Sequence, residues 1–285
     1  MENEEERKQT NLLERRDHLG SVAKMLASDL QHALHSDKLQ LFFQPQVDRE
    51  GHCFGAEALL RWKHDLGGFI PPPLMVALAR ESGFLYEIER FVMQSGCRAL
   101  KQFHTALNPK FEISINVTAD YLSDDRFMPD ITSDLAAYQV PKGTLWIEVT
   151  EQTALSHTPE VIEKIEALHK IGQNFAIDDF GMGHTSLLYL QNNHFDMVKL
   201  DGSLVKGLLE NERSRDIIAS IIYLSESLGF TVLAEYVETQ MQLDMLKELG
   251  VNFFQGYLYS PALPIDEAIS LISSWYTSEQ KQQLN

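Results

Sequence analysis

The sequence predicts an α/β protein with a (β/α)8 TIM-like barrel that contains one antiparallel strand. Eight short apolar or alternating segments recur along the chain, and helical patterns fill most of the gaps between them. Only residues 48–52 join the first two segments, which is far too short a connection for a parallel crossover. The length of 285 residues is one at which such barrels occur as a single domain.

The chain begins with an amphipathic helix. Its apolar residues recur at spacings of three and four, namely Leu19, Val22, Leu26, Leu30 and Leu34. This stripe has three candidate partners: the body of the domain, a second copy of the helix, or an upstream domain that lies outside this chain. We interpret residues 1–37 as an N-terminal linker helix, 38–275 as the barrel domain and 276–285 as a polar C-terminal tail.

The eight segments are predicted to be the strands of the barrel. They cover residues 39–47, 53–62, 111–118, 144–151, 174–181, 197–204, 231–238 and 252–260. The first two should form a hairpin, and the later strands should be parallel because a helical segment separates each from the next. Two of these helices are expected to end at Gly229 and Gly250, since glycine is the usual residue after a helix C-terminus.

Composition excludes several classes of protein. A formal net charge of −17 disfavours a long nucleic acid as partner, because such binding depends on Lys and Arg that neutralise phosphates. Two cysteines, Cys53 and Cys97, are too few for a disulfide framework. No apolar run approaches the roughly 20 residues of a membrane span, and the N-terminus is acidic. We therefore expect no membrane contact within this chain and a cytoplasmic location, either alone or as the cytoplasmic part of a larger membrane-anchored protein.

Polar side chains occur inside the apolar strands and are the candidate functional residues. Taken singly, each is more often an outward-facing surface group. Several strands place one at similar depth, however, and the C-terminal ends of barrel strands meet at one mouth. The set that we expect to converge there is Glu57, Asn116, Glu148, Asp178, Asp179, Lys199, Asp201, Glu235 and Gln255.

Carboxylates packed together require a cation or raised pKa values to relieve their repulsion. Oxygen ligands without a cluster of His or Cys suit Mg²⁺ or Mn²⁺ better than zinc. The adjacent pair Asp178 and Asp179 is suited to two ions a few ångströms apart, as in phosphodiester hydrolysis. The chemistry of the residues indicates metal-assisted hydrolysis but does not identify the substrate.

An ordered set of motifs resembles the EAL-domain cyclic di-GMP phosphodiesterase family. The set spans about Leu39 to Pro264 and consists of EALLRW from Glu57, INVT with Asn116, IEVTE with Glu148 and Glu151, IDDFGMGHTSL with Asp178 and Asp179, VKLD with Lys199 and Asp201, AEYVET with Glu235 and Glu238, and QGYLYS with Gln255. The resemblance implies a bacterial second-messenger enzyme that hydrolyses cyclic di-GMP to linear pGpG.

The resemblance also implies roles for individual residues. Metal ligands are expected at Glu57, Asn116, Glu148, Asp178, Asp179 and Glu235, which would hold two Mg²⁺ or Mn²⁺ ions, with Ca²⁺ as an inhibitor. The catalytic group is expected to comprise Lys199, Asp201, Glu235 and Glu151, where Lys199 either positions or deprotonates the attacking water and Glu151 steadies the loop after the fifth predicted strand. Substrate contacts are expected from Gln44, Arg61, Glu238 and Gln255.

Partners and alternatives follow from the same resemblance. It implies a homodimer through the loop and helices after the fifth predicted strand, and an upstream sensory or GGDEF domain outside this chain. The sequence departs from the family pattern at Tyr236, where glycine is usual, and at Met182 and His184. Two other functions are considered: a catalytically silent EAL domain that acts as a cyclic di-GMP sensor or interaction module, and a barrel enzyme of another class such as an enolase-like proton abstractor.

Overall fold

The computed structural model describes residues 20–65, 67–150, 159–181 and 195–282, with side chains up to residue 276. The chain divides into two compact units. The smaller unit comprises Met1–Gln40 and Leu60–Phe91, and the larger comprises Leu41–Leu59 and Val92–Asn285.

Eight strands form a barrel, and all of their residues belong to the larger unit except the first two of β1 and the last four of β2. The strands, numbered in chain order with a short β3 described below, are β1 (Leu39–Asp48), β2 (Cys53–Lys63), β4 (Glu112–Asn116), β5 (Leu145–Thr150), β6 (Asn174–Phe180), β7 (Met197–Leu200), β8 (Thr231–Ala234) and β9 (Phe253–Gln255). They pair in the order β1-β9-β8-β7-β6-β5-β4-β2, and a β1–β2 pairing closes the ring. Within the ring, every neighbouring pair from β2 through β4 to β9 is parallel, whereas β1 is antiparallel to β9. The predicted barrel with one antiparallel strand is therefore confirmed.

Helices lie before, between and after the barrel strands. They are α1 (residues 20–33), α2 (Pro72–Glu81), α3 (Leu85–Ala106), α4 (Ala119–Ser123), α5 (Phe127–Tyr138), α6 (Pro159–Ile171), α7 (Gly202–Gly207), α8 (Glu212–Leu228), α9 (Gln240–Glu248) and α10 (Ile265–Gln282). Gly229 caps α8 in the left-handed conformation with φ +83°, as predicted. No helix in the described ranges combines the length and the apolar composition needed to cross a bilayer.

The smaller unit has its own apolar core. Ala27, Leu30 and Ala33 of α1 pack in a cluster with Leu39, Trp62, Met75, Leu78, Ala79, Phe84, Leu85 and Ile88. Part of the predicted apolar stripe is therefore buried within this unit, which is one of the three partners considered for it. The predicted domain boundaries after residues 37 and 275 stay predictions.

One additional strand was not predicted. The segment β3 (Phe69–Ile70) pairs antiparallel with the end of β2. It has only two residues, which is too short for an alternating pattern to be detected in the sequence.

Several predicted strands end earlier than expected, and the largest difference is in β9, which stops at Gln255 and not at residue 260. The strand β7 stops at Leu200 because Asp201 is the N-cap of α7, where its Oδ1 accepts the backbone N–H of Ser203 at 2.8 Å. The strand β8 stops at Ala234, and Tyr236 then adopts a left-handed φ of +55°. Asp201 and Glu235 consequently lie in the first position after a strand, and not within one.

Candidate metal centre

A fully buried lysine lies among four carboxylates in the barrel. Lys199 Nζ is 2.8 Å from Glu148 Oε2, 2.9 Å from Glu235 Oε1, 3.1 Å from Glu57 Oε2 and 3.3 Å from Asp178 Oδ1. The lysine side chain has no exposed surface, and the carboxylate side chains are at most 13% exposed. Burying ionisable groups costs free energy unless opposite charges compensate one another.

The parallel strands explain why these side chains meet. Glu57, Glu148 and Asp178 lie on β2, β5 and β6, Lys199 lies on β7, and Glu235 follows β8 directly. Residues near the C-terminal ends of parallel barrel strands project into one mouth.

Asn116, at the end of β4, belongs to the same group. Its Nδ2 donates a hydrogen bond to Glu57 Oε1 at 2.7 Å, and in strand register it pairs with Glu148. Because the amide nitrogen is used in this bond, the Oδ1 atom is left to serve as an oxygen ligand.

A bulge in β6 directs two consecutive aspartates into the site. Successive side chains on a regular strand point to opposite faces. Here the register between β6 and β7 shifts between Ile177 and Phe180, and Asp179 has a left-handed φ of +57°. Such a bulge re-aims a side chain, so Asp178 and Asp179 both take part in the cluster.

Two overlapping groups of acids are suited to hold divalent cations. Ligand atoms of Glu57, Glu148 and Asp178 lie within 4.8 Å of one another, and so do those of Asp178, Asp179 and Glu235. Asp178 is shared by both groups. Its buried Oδ1 accepts no well-directed hydrogen bond from the described residues, although the Lys199 ammonium lies 3.3 Å away. A buried carboxylate oxygen that accepts no well-directed hydrogen bond is suited to bind a cation, and a set of oxygen ligands suits Mg²⁺ or Mn²⁺.

The charges in the site shift one another's pKa. Burial raises the pKa of Glu148 and Asp178, and it raises the pKa of Glu235 to about 8. Burial has the same effect on Glu57, but the attraction of Lys199 and the hydrogen bonds from Gln255 and Asn116 lower its pKa overall. For Lys199, burial lowers the pKa, yet the surrounding carboxylates outweigh burial and hold the pKa well above its ordinary value. Lys199 is therefore a cation.

A chain of side-chain amides supports Glu57. Gln255 Nε2 donates to Glu57 Oε2 at 2.6 Å and to Gln44 Oε1 at 3.2 Å, and Gln44 Nε2 donates to the Ser260 carbonyl at 3.1 Å. Gln46 Nε2 in turn donates to Gln255 Oε1 at 2.9 Å. This last contact orients the Gln255 amide so that its N–H groups face the carboxylate.

Gln46 was not predicted from the sequence as a site residue. It is only 4% exposed, and it lies two residues after Gln44 on β1, hence on the same face of the strand. The two-residue periodicity of the strand was the signal that would have identified it.

Comparison with known proteins assigns the chain to a family. Residues 27–262 match the EAL domain. The chain belongs to the EAL domain family. This EAL domain is 31% identical over 255 residues to the oxygen sensor protein DosP of Escherichia coli (strain K12), covering 89% of the chain and 31% of DosP. It is 34% identical over 239 residues to the cyclic di-GMP phosphodiesterase PdeL of the same organism, covering 84% of the chain and 66% of PdeL.

Solved structures agree with this assignment. The EAL domain superimposes on the PaMucR phosphodiesterase in complex with c-di-GMP with a TM-score of 0.81 and 30% sequence identity, covering 86% of this chain and 99% of that one. The chain spans only about a third of the length of DosP, so relatives of this EAL domain include much longer proteins.

Two further predicted residues lie after the strands that carry the acidic cluster. Asp201 caps α7, and its charge contributes to the raised pKa of Asp179. Glu238 is exposed, and its backbone N–H donates to Gln242 Oε1 at 2.9 Å. Neither carboxylate is among the ligand atoms of the two acidic groups.

The remaining predicted residues lie elsewhere in the chain. Arg61 belongs to the smaller unit, where its Nη1 donates to the Leu60 carbonyl at 3.0 Å. Residues outside the described ranges include Glu151, Met182 and His184.

Tyr236 follows Glu235 and has an unusual backbone. A left-handed φ of +55° is one that glycine adopts readily and tyrosine adopts at a cost. Its ring packs against Gly202, where a Cβ atom on residue 202 would lie 2.3 Å from Tyr236 Cδ2. Gly202 therefore provides the space in which this EAL domain accommodates the bulky ring.

Proposed function

We propose that this EAL domain hydrolyses cyclic di-GMP to linear pGpG with two divalent cations, Mg²⁺ or Mn²⁺. The observation that carries the proposal is the pair of acidic groups that share Asp178 beside a buried Lys199. The relatives named as cyclic di-GMP phosphodiesterases support the choice of substrate. The fold alone would not, because barrels of this type host many reactions.

The ligands proposed for the two cations are divided between the two acidic groups. Glu57, Asn116, Glu148 and Asp178 would hold one ion, and Asp178, Asp179 and Glu235 the other. When bound, such ions supply an activated water and stabilise the charge on the leaving oxygen. The amide chain that ends at Gln255 keeps Glu57 in place, and the bulge in β6 keeps both aspartates aimed at the same space.

Lys199 is proposed to orient the attacking water and to stabilise negative charge, and not to act as the base. In the absence of bound ions its four carboxylate neighbours hold the pKa of Lys199 well above its ordinary value, and an ammonium donates hydrogen bonds to a nearby water without accepting its proton. Deprotonation of water would then fall to a carboxylate, and Glu235, whose Oε1 lies 2.9 Å from the Lys199 ammonium in the second acidic group, is the candidate by its position. Asp201 and Glu151 are proposed to assist, and Gln44, Arg61, Glu238 and Gln255 to contact the substrate.

Several further properties are proposed on the strength of family membership. They are inhibition by Ca²⁺, a homodimer that uses the loop after β6, and action in the cytoplasm, with an upstream sensory or GGDEF domain in the longer protein. Calcium prefers longer and looser coordination than magnesium, so we expect it to bind without placing the water for attack. Sedimentation velocity tests the dimer, and a monomer at micromolar concentration would contradict it.

The decisive experiment is incubation of the purified protein with cyclic di-GMP and Mg²⁺, followed by chromatographic detection of pGpG. We expect activity with Mg²⁺ or Mn²⁺, none in EDTA and little with Ca²⁺. Glu57→Ala should remove activity while circular dichroism stays unchanged, and Glu50→Ala, at an exposed turn, is the matched control that should leave activity intact.

The same experiment separates the alternatives. A catalytically silent EAL domain would bind cyclic di-GMP, as measured by calorimetry, and return it uncleaved. A barrel enzyme of another class would neither bind nor cleave it. Full activity of the wild type in EDTA would contradict the metal-dependent mechanism.

A further inference from the structure

The rim of the metal centre carries an aromatic ring that the proposed mechanism does not use. Tyr236 immediately follows Glu235 and is 49% exposed. Its ring packs against Gly202, the residue that follows Asp201, so the ring lies beside the second acidic group. The ring is thus both accessible and adjacent to the candidate reaction centre.

The ring is held in a fixed orientation. Three of its carbons approach the Cα side of Gly202 so closely that a Cβ there would lie 2.3–2.9 Å from them. Lys206 Nζ, one turn further along α7, lies over the ring at 4.5 Å from its centroid. The residue also retains a left-handed φ of +55° to present the ring in this way. Residues held in such conformations cluster at active and ligand-binding sites, so this ring is a candidate for contact with substrate.

A rigid, half-exposed aromatic ring beside a phosphodiester-binding centre is suited to stack on a nucleobase. Stacking is tolerant of base identity, and its cost in conformational entropy is small when the ring is already immobile. The surrounding acids would repel a second phosphate at this position but not an uncharged base.

We propose that Tyr236 is a stacking platform for one guanine base of the dinucleotide and thereby a substrate-binding residue of this EAL domain. The inference rests on the proposed function. Because the ring contacts the base and not the reacting phosphate, its removal should weaken substrate binding and leave the chemical step nearly unchanged.

The test measures KM and kcat for cyclic di-GMP in Tyr236→Leu, Tyr236→Phe and Tyr236→Gly. Loss of a base–aromatic stack should raise KM about tenfold in the Leu and Gly variants, while kcat changes less than threefold. The Phe variant, which keeps the ring, should stay within about twofold of wild type. Tyr223→Leu is the matched control, since Tyr223 is 70% exposed on α8 and should have no effect.

Tyr236→Gly also separates stacking from folding. Glycine relieves the positive φ, so this variant should melt at the same temperature as wild type or higher, yet still show the raised KM. Unchanged KM in both Leu and Gly variants would overturn the proposal, and so would a lowered KM, which would show instead that the ring obstructs the mouth.

A binding measurement distinguishes a protein that does not hydrolyse cyclic di-GMP from one in which Tyr236 does not stack on the base. If wild type does not cleave cyclic di-GMP, its dissociation constant is measured by calorimetry in Ca²⁺. A roughly tenfold weaker constant in Tyr236→Leu would then support stacking without hydrolysis. Absence of binding to the wild type, or equal constants in both proteins, would overturn it.

Discussion

At the scale of single residues, the arrangement of hydrogen-bond donors around Glu57 matters as much as its charge. Glu57 Oε2 accepts from Gln255 because Gln46 occupies the oxygen of the same amide. An amide has one donor end and one acceptor end, so whichever group binds one end determines what the other end presents. Gln46 is consequently a positioning residue for a carboxylate that it does not touch.

Substitution of Gln46 tests this dependence. Gln46→Leu removes the donor and leaves a buried acceptor on Gln255, which should lower the free energy of unfolding by about 1–3 kcal/mol. Gln46→Glu should be worse, because an acceptor at residue 46 favours rotation of the Gln255 amide and turns its oxygen toward Glu57. Urea unfolding and the Mg²⁺ concentration for half-maximal activity are the measurements. Equal values for wild type and Gln46→Glu would contradict the positioning role.

Glu112 provides a pH-dependent prediction away from the metal centre. It is largely buried at the start of β4, where burial raises its pKa to about 7 although Trp146 Nε1 donates to it at 2.7 Å. Below the model-peptide pKa of about 4.3 the carboxyl is protonated in both folded and unfolded states. As the pH rises toward 7 the unfolded state loses this proton first, so the stability contribution of the neutral carboxyl is lost across that window.

Glu112→Gln should therefore be more stable than wild type at about pH 8, by on the order of 2 kcal/mol, with little difference at about pH 4. The neutral amide keeps an oxygen that can accept from Trp146. Denaturant unfolding of both proteins at the two pH values is the measurement. A difference that is the same at both pH values would show that charge on Glu112 is not the cause.

At the scale of elements, one glycine fixes the position of the loop after β8. The backbone of Val237 lies so close to Gly256 that a Cβ there would be 2.1 Å from the Val237 oxygen. Two hydrogen bonds, Val237 N–H to Gln255 O at 3.1 Å and Leu258 N–H to Val237 O at 2.9 Å, hold the two segments together. This contact holds the backbone two residues after Glu235 against the backbone that follows Gln255.

Gly256→Ala should displace this loop. We expect a loss of about 1–3 kcal/mol in the free energy of unfolding from the steric overlap, and a fall in kcat of about tenfold or more because Glu235 moves. Gly20→Ala is the matched control, since no atom lies within 4 Å of a Cβ at that position. Thermal melts and initial rates are compared, and a fully active Gly256→Ala would contradict the assignment.

The sequence predicted strand positions better than strand ends. Short apolar or alternating segments separated by helical patterns identified the eight barrel strands, and strands such as β7 and β8 are buried at nearly every residue, as parallel strands covered on both faces are. Asp201 and Glu235 continue that pattern in the sequence, yet one caps a helix and the other precedes a left-handed turn. The convergence of Asp178 and Asp179 depends on a bulge, and local pattern carries no signal for a register shift between strands.

At the scale of the whole molecule, the net charge of −17 affects the association of any charged substrate. Cyclic di-GMP carries two negative phosphodiesters, so the overall field opposes its association. Monovalent salt screens exposed charges over about 10 Å at 0.1 M. At saturating Mg²⁺, raising KCl from low concentration to about 0.2 M should therefore leave KM unchanged or lower it.

This salt response is opposite in sign to that of a basic nucleic-acid binder, whose affinity falls steeply with salt. Steady-state kinetics across a KCl series, with NaCl as a second salt, provide the measurement. A KM that increases severalfold with salt would mean that local cations outweigh the overall charge.

The ammonium of Lys199 is a counter-ion that the polypeptide supplies to itself. Because this ammonium offsets part of the carboxylate charge, we expect the chain to complete its barrel without metal and to bind metal in a later and separate step. Domains that need the ion in order to fold stay unfolded when metal is scarce, whereas this protein would accumulate in a folded, metal-free form. Refolding rates from urea should then be equal in EDTA and in Mg²⁺, and an EDTA-arrested chain would contradict that order.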